Sequence, residues 1–198
     1  MSDIVTKATA LAADRTETLV RVLRAYVVVV GAVTAYLAWR LLSGGARVDG
    51  VEVLRWAGVA FAGEAIVGIF WLRWFHPLYL AVSEAGRARF PRQGMWFWAW
   101  LLPTPLGGLI LPKFLVNDVW WAPAADGVPP TVVQRWWLCW LGSGLVLYGG
   151  RTDDRITALA LPLLVVAGIY AIGAVRVLTA RVELLARQRR EVAEPVYG

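Results

Sequence analysis

Apolar residues along this chain gather into blocks about as long as a bilayer is thick. Ala25 to Leu42 is valine-rich and closes on Trp39 and Arg40. Val53 to Phe75, Val132 to Tyr148 and Ile156 to Leu178 form three more blocks. Each approaches the ~20 apolar residues that a helix needs to cross hydrocarbon. Short polar stretches separate them: SGGARVDG (Ser43 to Gly50), APAADGVPP (Ala122 to Pro130) and GGRTDDRIT (Gly149 to Thr157). In the last, Asp153 or Asp154 is suited to cap the following helix. The pattern predicts one all-α domain, a polytopic membrane helix bundle with four full spans.

The flanks read differently. Met1 to Arg24 carries Asp3, Lys7, Asp14, Arg15, Glu17 and Arg21. It lacks the apolar core and cleavage site of a signal peptide and reads as an amphipathic cytoplasmic lead-in. His76 to Gly94 is mixed and basic, the pattern of an interfacial helix and a turn. Residues 179–198 form a basic tail with Arg181, Arg187, Arg189 and Arg190.

A fifth apolar segment, Met95 to Trp121, is interrupted by Pro103, Pro105, Gly107, Gly108 and Pro112. Proline removes a helical hydrogen bond, and broken backbone at membrane depth survives only inside protein or beside a water-filled cavity. The segment is therefore a kinked span or a re-entrant hairpin. Charge chooses between them. If it crosses, the twenty Lys and Arg residues divide evenly between the two sides. If it re-enters, only Arg40, Arg47, Arg55, Arg151 and Arg155 lie outside. The positive-inside rule favours the second arrangement, with both termini cytoplasmic.

Composition agrees with a membrane protein: 59% of the 198 residues are hydrophobic and 17% charged. The mean hydropathy is +0.57. A net charge of +6 is read as topology and anionic-lipid contact, and not as nucleic-acid binding. Cys139 is the only cysteine and His76 the only histidine, so no internal disulfide is possible and no metal or cofactor is expected.

Several motifs resemble a bacterial, mainly actinobacterial, family of four-span membrane proteins known as a domain of unknown function. They are WFH (Trp74 to His76), W-L-L-P (Trp100 to Pro103), Pro112 with DVW (Asp118 to Trp120), WWLCWLGSGL (Trp136 to Leu145) and VRVLTAR (Val175 to Arg181). The resemblance covers about the last two-thirds of the chain and implies the fold and topology, with no chemistry. The chain departs from that pattern at HPLYLAV (His76 to Val82) and at PTPLGGLIL, where the family carries arginines and asparagines. It departs again at Glu64, where the family is apolar. A specialised relative is the reading that follows.

Glu64 interrupts VAFAGEAIVGIF, about eleven residues or ~16 Å from either end of its span. It is too deep to reach water, so the carboxyl is expected neutral or paired and turned towards the bundle. Ala57, Ala60, Phe61, Gly68 and Trp71 share its face at helical spacings. Twelve tryptophans accompany it. Trp39, Trp56, Trp120 and Trp121 stand at span ends, as interfacial belts do. Trp96 with Trp100, Trp136 with Trp140 and Trp71 with Trp74 repeat at helical spacing, either as packing or as the wall of an aromatic pocket.

Three readings follow. In the first, Glu64 is the general acid of a membrane enzyme acting on a lipophilic isoprenoid. It protonates an alkene or epoxide, and indole faces stabilise the carbocation. This shares its parts with integral membrane terpene cyclases. The catalytic candidates are Glu64 and Asp118, the latter as second acid or orienter. Phe61, Trp71, Trp96, Trp100, Trp136, Trp140 and Tyr170 are candidates for the substrate wall. Tyr26 and Tyr36 are weaker ones, His76 reads as a surface or capping histidine or a proton relay to the cytoplasm, and Lys113, Asn117 and Cys139 read as anchoring, capping and packing. In the second reading Glu64 is interhelical glue in an accessory or scaffold protein. In the third it is a proton relay in a homo-oligomer. The partners implied are a lipophilic small molecule, membrane lipids and, for the third reading, further copies of the chain.

Overall fold

The computed structural model describes residues 2–43, 50–88, 105–123, 131–149 and 154–193. Five α-helices account for almost all of them: α1 (Ser2–Leu42), α2 (Gly50–Glu84), α3 (Pro105–Trp121), α4 (Thr131–Gly149) and α5 (Asp154–Ala193). Among the described residues, three helices are long and apolar enough to cross a membrane: α1 over Ile4–Arg40, α2 over Gly58–Glu84 and α5 over Leu159–Val192. The protein is an all-α membrane protein. The fourth expected span, α4, is 19 residues long and carries Gln134, Arg135 and three tryptophans.

The helices divide into two compact units. One comprises Val20–Phe70 and Thr131–Ala174. It holds four helical segments of about 20 residues, each the length that crosses ~30 Å of hydrocarbon. Its core is Val30, Val33 and Leu37 of α1, Ala60 of α2, and Leu161 and Leu164 of α5. Its outward positions are also apolar, with Val28, Val29, Val59, Ile66, Ile69, Leu145, Leu159 and Ile169 exposed. Apolar residues on both the inner and outer faces suit a lipid surround. At one end Tyr36 Oη donates to Glu52 Oε1 (3.1 Å), and Arg40 pairs with the same carboxylate at 3.7 Å.

The other unit comprises Met1–Leu19, Trp71–Pro130 and Val175–Gly198. Trp74, fully buried, donates its indole N–H to Thr16 Oγ1 (3.0 Å) and Thr179 Oγ1 (3.3 Å). The two hydroxyls lie 2.9 Å apart. Each also reaches the carbonyl one turn back, at Ala12 and Val175. One tryptophan thus joins α1, α2 and α5 through donors and acceptors that satisfy one another.

The helices are longer than the apolar blocks. The expected lead-in and first span are one helix, because a single buried stripe runs through both. Val5, Ala8, Ala12, Leu19, Leu23, Val30, Val33 and Leu37 are buried on α1, with Thr16 and Tyr26 on the same line. Their spacings of three and four residues keep one face inward throughout.

Likewise, the turn expected after span two is absent until Glu84, and α2 passes through Pro77. Pro77 has no N–H for the Arg73 carbonyl. Arg15 Nη1 supplies the missing donor at 2.6 Å. The helix ends instead at Gly86, whose φ of +70° permits the left-handed turn. The Arg87 N–H bonds Val82 O and the Gly86 N–H bonds Ser83 O, a Schellman closure. The carbonyl of Ala85 then accepts from Arg189. The basic tail is helical as far as Ala193.

Of the Pro/Gly-rich segment, the described part is one helix from Pro105, a residue that suits a first helical turn. The backbone stays helical past Pro112 at the loss of one bond. Residues 89–104 lie outside the description, and with them Trp96, Trp100 and Pro103.

Candidate functional site

Glu64 stands on α2 among Ala62, Gly63, Ala65 and Ile66, and its carboxyl is not left alone. Trp140 of α4 donates its indole N–H to Glu64 Oε1 at 2.6 Å. That is short for an N–H···O bond. Trp140 lies four residues after Trp136, and the two rings stack with centroids 6.4 Å apart and planes 17° from parallel. The α-helical repeat brings both onto one face of α4.

Tyr26 of α1 completes the group. Its ring lies against Gly63 of α2, where a Cβ would stand 3.1 Å from Cδ2 and Cε2. The other ring edge lies 3.7 Å from the corresponding position of Gly168 on α5. Glycine on both helices makes room for a ring between them. The phenol oxygen is buried and has no hydrogen-bond partner among the described residues. The site is thus a carboxyl, an indole N–H donor and a phenol, drawn from three helices inside an apolar bundle.

The remaining candidates fall elsewhere. Tyr170 accepts a bond from Arg135 Nη1 at 3.5 Å, with the guanidinium 5.8 Å from its ring centre. Trp71 meets Trp74 edge-on at 5.1 Å in the other unit. Asp118, 3% exposed, belongs to that unit too and accepts from Tyr79 Oη at 3.3 Å. Tyr79 stacks on Phe75, whose ring lies 6.0 Å from that of Trp74, so rings line α2 from Trp71 to Asp118's partner. The Phe61 side chain, Trp96 and Trp100 lie outside the description. Among the described residues no group of three His, Cys, Asp or Glu side chains is placed to hold a metal ion.

The sequence reading passed over the pairing of Arg181 with Trp120. The guanidinium lies 3.9 Å from the indole centre, a close cation–π stack. Thr16 and Thr179 were also passed over. Their signal was a lone hydroxyl within an apolar stripe, which shows where a donor is wanted and not which residue provides it.

Three of the motifs that carried the family resemblance meet one another in space. Trp74 of WFH bonds Thr179 of VRVLTAR, and Arg181 of the same motif covers Trp120 of DVW. No family model, curated protein or solved structure matches the chain.

Proposed function

We propose that this protein is an integral membrane enzyme acting on a lipophilic isoprenoid, with Glu64 as general acid. The observation that carries the reading is the 2.6 Å bond from Trp140 to the Glu64 carboxyl inside an apolar bundle. Carboxyl groups at membrane depth are costly, and they commonly mark function. Indole N–H is a donor only, so Trp140 holds one carboxyl oxygen without competing for the acidic proton. It also stabilises the carboxylate left when that proton departs.

In the step proposed, the Glu64 proton adds to the terminal alkene carbon of a polyprenyl chain, and a carbocation forms at the neighbouring carbon. An internal alkene attacks it and closes a C–C bond. The last cation loses a proton to the Glu64 carboxylate. The reaction is an isomerisation and needs no co-reactant. The Trp136 and Trp140 faces are suited to stabilise the cation, and a dry site delays its capture by water. The accompanying assignment is a bacterial plasma membrane with cytoplasmic termini and affiliation to the four-span family resembled above.

The same bond favours a second reading, in which Glu64 ties α2 to α4 in a non-catalytic protein. Glu64→Gln separates them, since the amide carbonyl still accepts from Trp140 but has no acidic proton. Wild-type and variant proteins are purified in detergent and their bound small molecules identified by mass spectrometry. A prenylated compound retained in the variant, with its cyclised isomer only in the wild type, supports the enzyme. Cyclised product from the variant refutes Glu64 as the acid. Phospholipid alone in both favours the tie.

A further inference from the structure

Three polar atoms in the unit that contains α3 have no internal account. Trp120 Nε1, Arg181 Nε and Asn117 Oδ1 are buried and have no hydrogen-bond partner among the described residues. A buried donor left without a partner is costly, so two donors and an amide on neighbouring positions call for an explanation. They are not scattered. Lys113, Asn117 and Trp120 follow one another at spacings of four and three residues on α3, which puts them on one face. Arg181 of α5 stacks on Trp120.

The charge and the shape of these groups agree. Arg181 presents a flat guanidinium whose face is covered by indole, which leaves its N–H edge to bind in plane. The Lys113 ammonium nitrogen is buried on the same face of α3. Asn117, turned about its amide, offers its NH2 where its oxygen now lies. The carboxylate next in sequence, Asp118, accepts from Tyr79. Two cations and two or three N–H donors, partly desolvated, match a tetrahedral oxyanion. Guanidinium and indole donors bind phosphate oxygens strongly in such surroundings.

We propose that Arg181, Trp120, Lys113 and Asn117 form a binding site for a phosphate group, carried by an anionic phospholipid or free in solution. The site lies within one unit and stands whether or not Glu64 is catalytic. It also gives Arg181 a task that a surface arginine on a basic tail would not have.

The test uses the full chain, delipidated in a neutral maltoside detergent. Dioleoylphosphatidylglycerol is titrated and its adducts counted by native mass spectrometry. Inorganic phosphate is then added as competitor. Two variants are compared, Arg181→Gln and Trp120→Phe. The second keeps an aromatic ring for the guanidinium to stack on but removes the N–H and part of the indole, so thermal unfolding is recorded beside binding to separate lost packing from the lost donor. Circular dichroism checks that both remain helical. The expected result is a lipid adduct whose apparent affinity falls about tenfold in Arg181→Gln and about threefold in Trp120→Phe. Displacement by phosphate assigns the site to the phosphate group from either source. Resistance to phosphate assigns it to the lipid headgroup. Absence of binding by both probes, or lipid binding indifferent to both substitutions, overturns the proposal.

Discussion

The Arg15 guanidinium donates to the Arg73 carbonyl over 2.6 Å, and that carbonyl is the one Pro77 deprives of its helical donor. A proline that would be expected to end α2 is tolerated because a side chain of α1 takes over the lost bond. The pair makes a specific claim about energetics. Arg15→Met removes the donor from the exposed Arg73 carbonyl and should destabilise the protein by about 0.5–1.5 kcal/mol. Pro77→Ala restores the helical N–H, so Arg15→Met in that background should cost much less. A double-mutant cycle on thermal unfolding in detergent measures the coupling, and additive effects would contradict this account.

Glu64 substitutions should separate acidity from packing. Glu64→Gln preserves an acceptor for Trp140, so its melting temperature should stay close to that of the wild type while turnover is lost. Glu64→Leu strands the Trp140 indole N–H in an apolar bundle and should cost about 1–3 kcal/mol. Equal melting temperatures for the two variants would show that the 2.6 Å bond contributes nothing to the fold.

Trp74 joins three helices through Thr16 and Thr179. Trp74→Phe removes the N–H and part of a fully buried ring, and a loss of about 2–4 kcal/mol is expected. With Thr179 already changed to Val, the same substitution should cost less, because one acceptor is gone. Chemical denaturation of the four proteins checks this.

Gly168 allows the closest helix approach around Tyr26. A Cβ there would stand 2.5 Å from Val27 Cγ2. Valine has few rotamers with which to move away. Gly168→Ala should therefore destabilise by about 1–3 kcal/mol, and Val27→Ala should suppress the effect. Failure of that suppressor, read by thermal unfolding, would place the clash elsewhere.

Gly86 closes α2 at φ +70°. Gly86→Ala should cost about 1 kcal/mol through left-handed strain, with no change in any contact, since a Cβ there meets open space. Gly86→Asn should recover part of the loss, as asparagine tolerates that conformation better. Thermal unfolding of the two variants, with Asn no better than Ala, would argue against backbone strain.

Much of the architecture was legible in the amino-acid order. Apolar blocks of membrane length predict helices in lipid, and the deep position of Glu64 follows from counting residues along one of them. Helicity and hydropathy are local properties, so local sequence carries them. The lengths of the helices were less legible. The second block reads as ending at Phe75, two residues before Pro77, because the donor that keeps α2 helical there, Arg15, is 58 positions from the Arg73 carbonyl it bonds.

The partners of the site residues were decided by tertiary structure alone. Trp140 lies 76 positions from Glu64, and nothing in the composition distinguishes it from eleven other tryptophans. The rotation of α4 about its axis and its register against α2 select it. The same holds for Asp118, which accepts from Tyr79, 39 positions away. It holds too for Arg181, whose place in a basic tail conceals its stack on Trp120. A sequence states which groups need a partner, because an acid or an indole N–H among apolar residues is costly alone. Which partner is met depends on how the helices pack, and that is a property of all of them together.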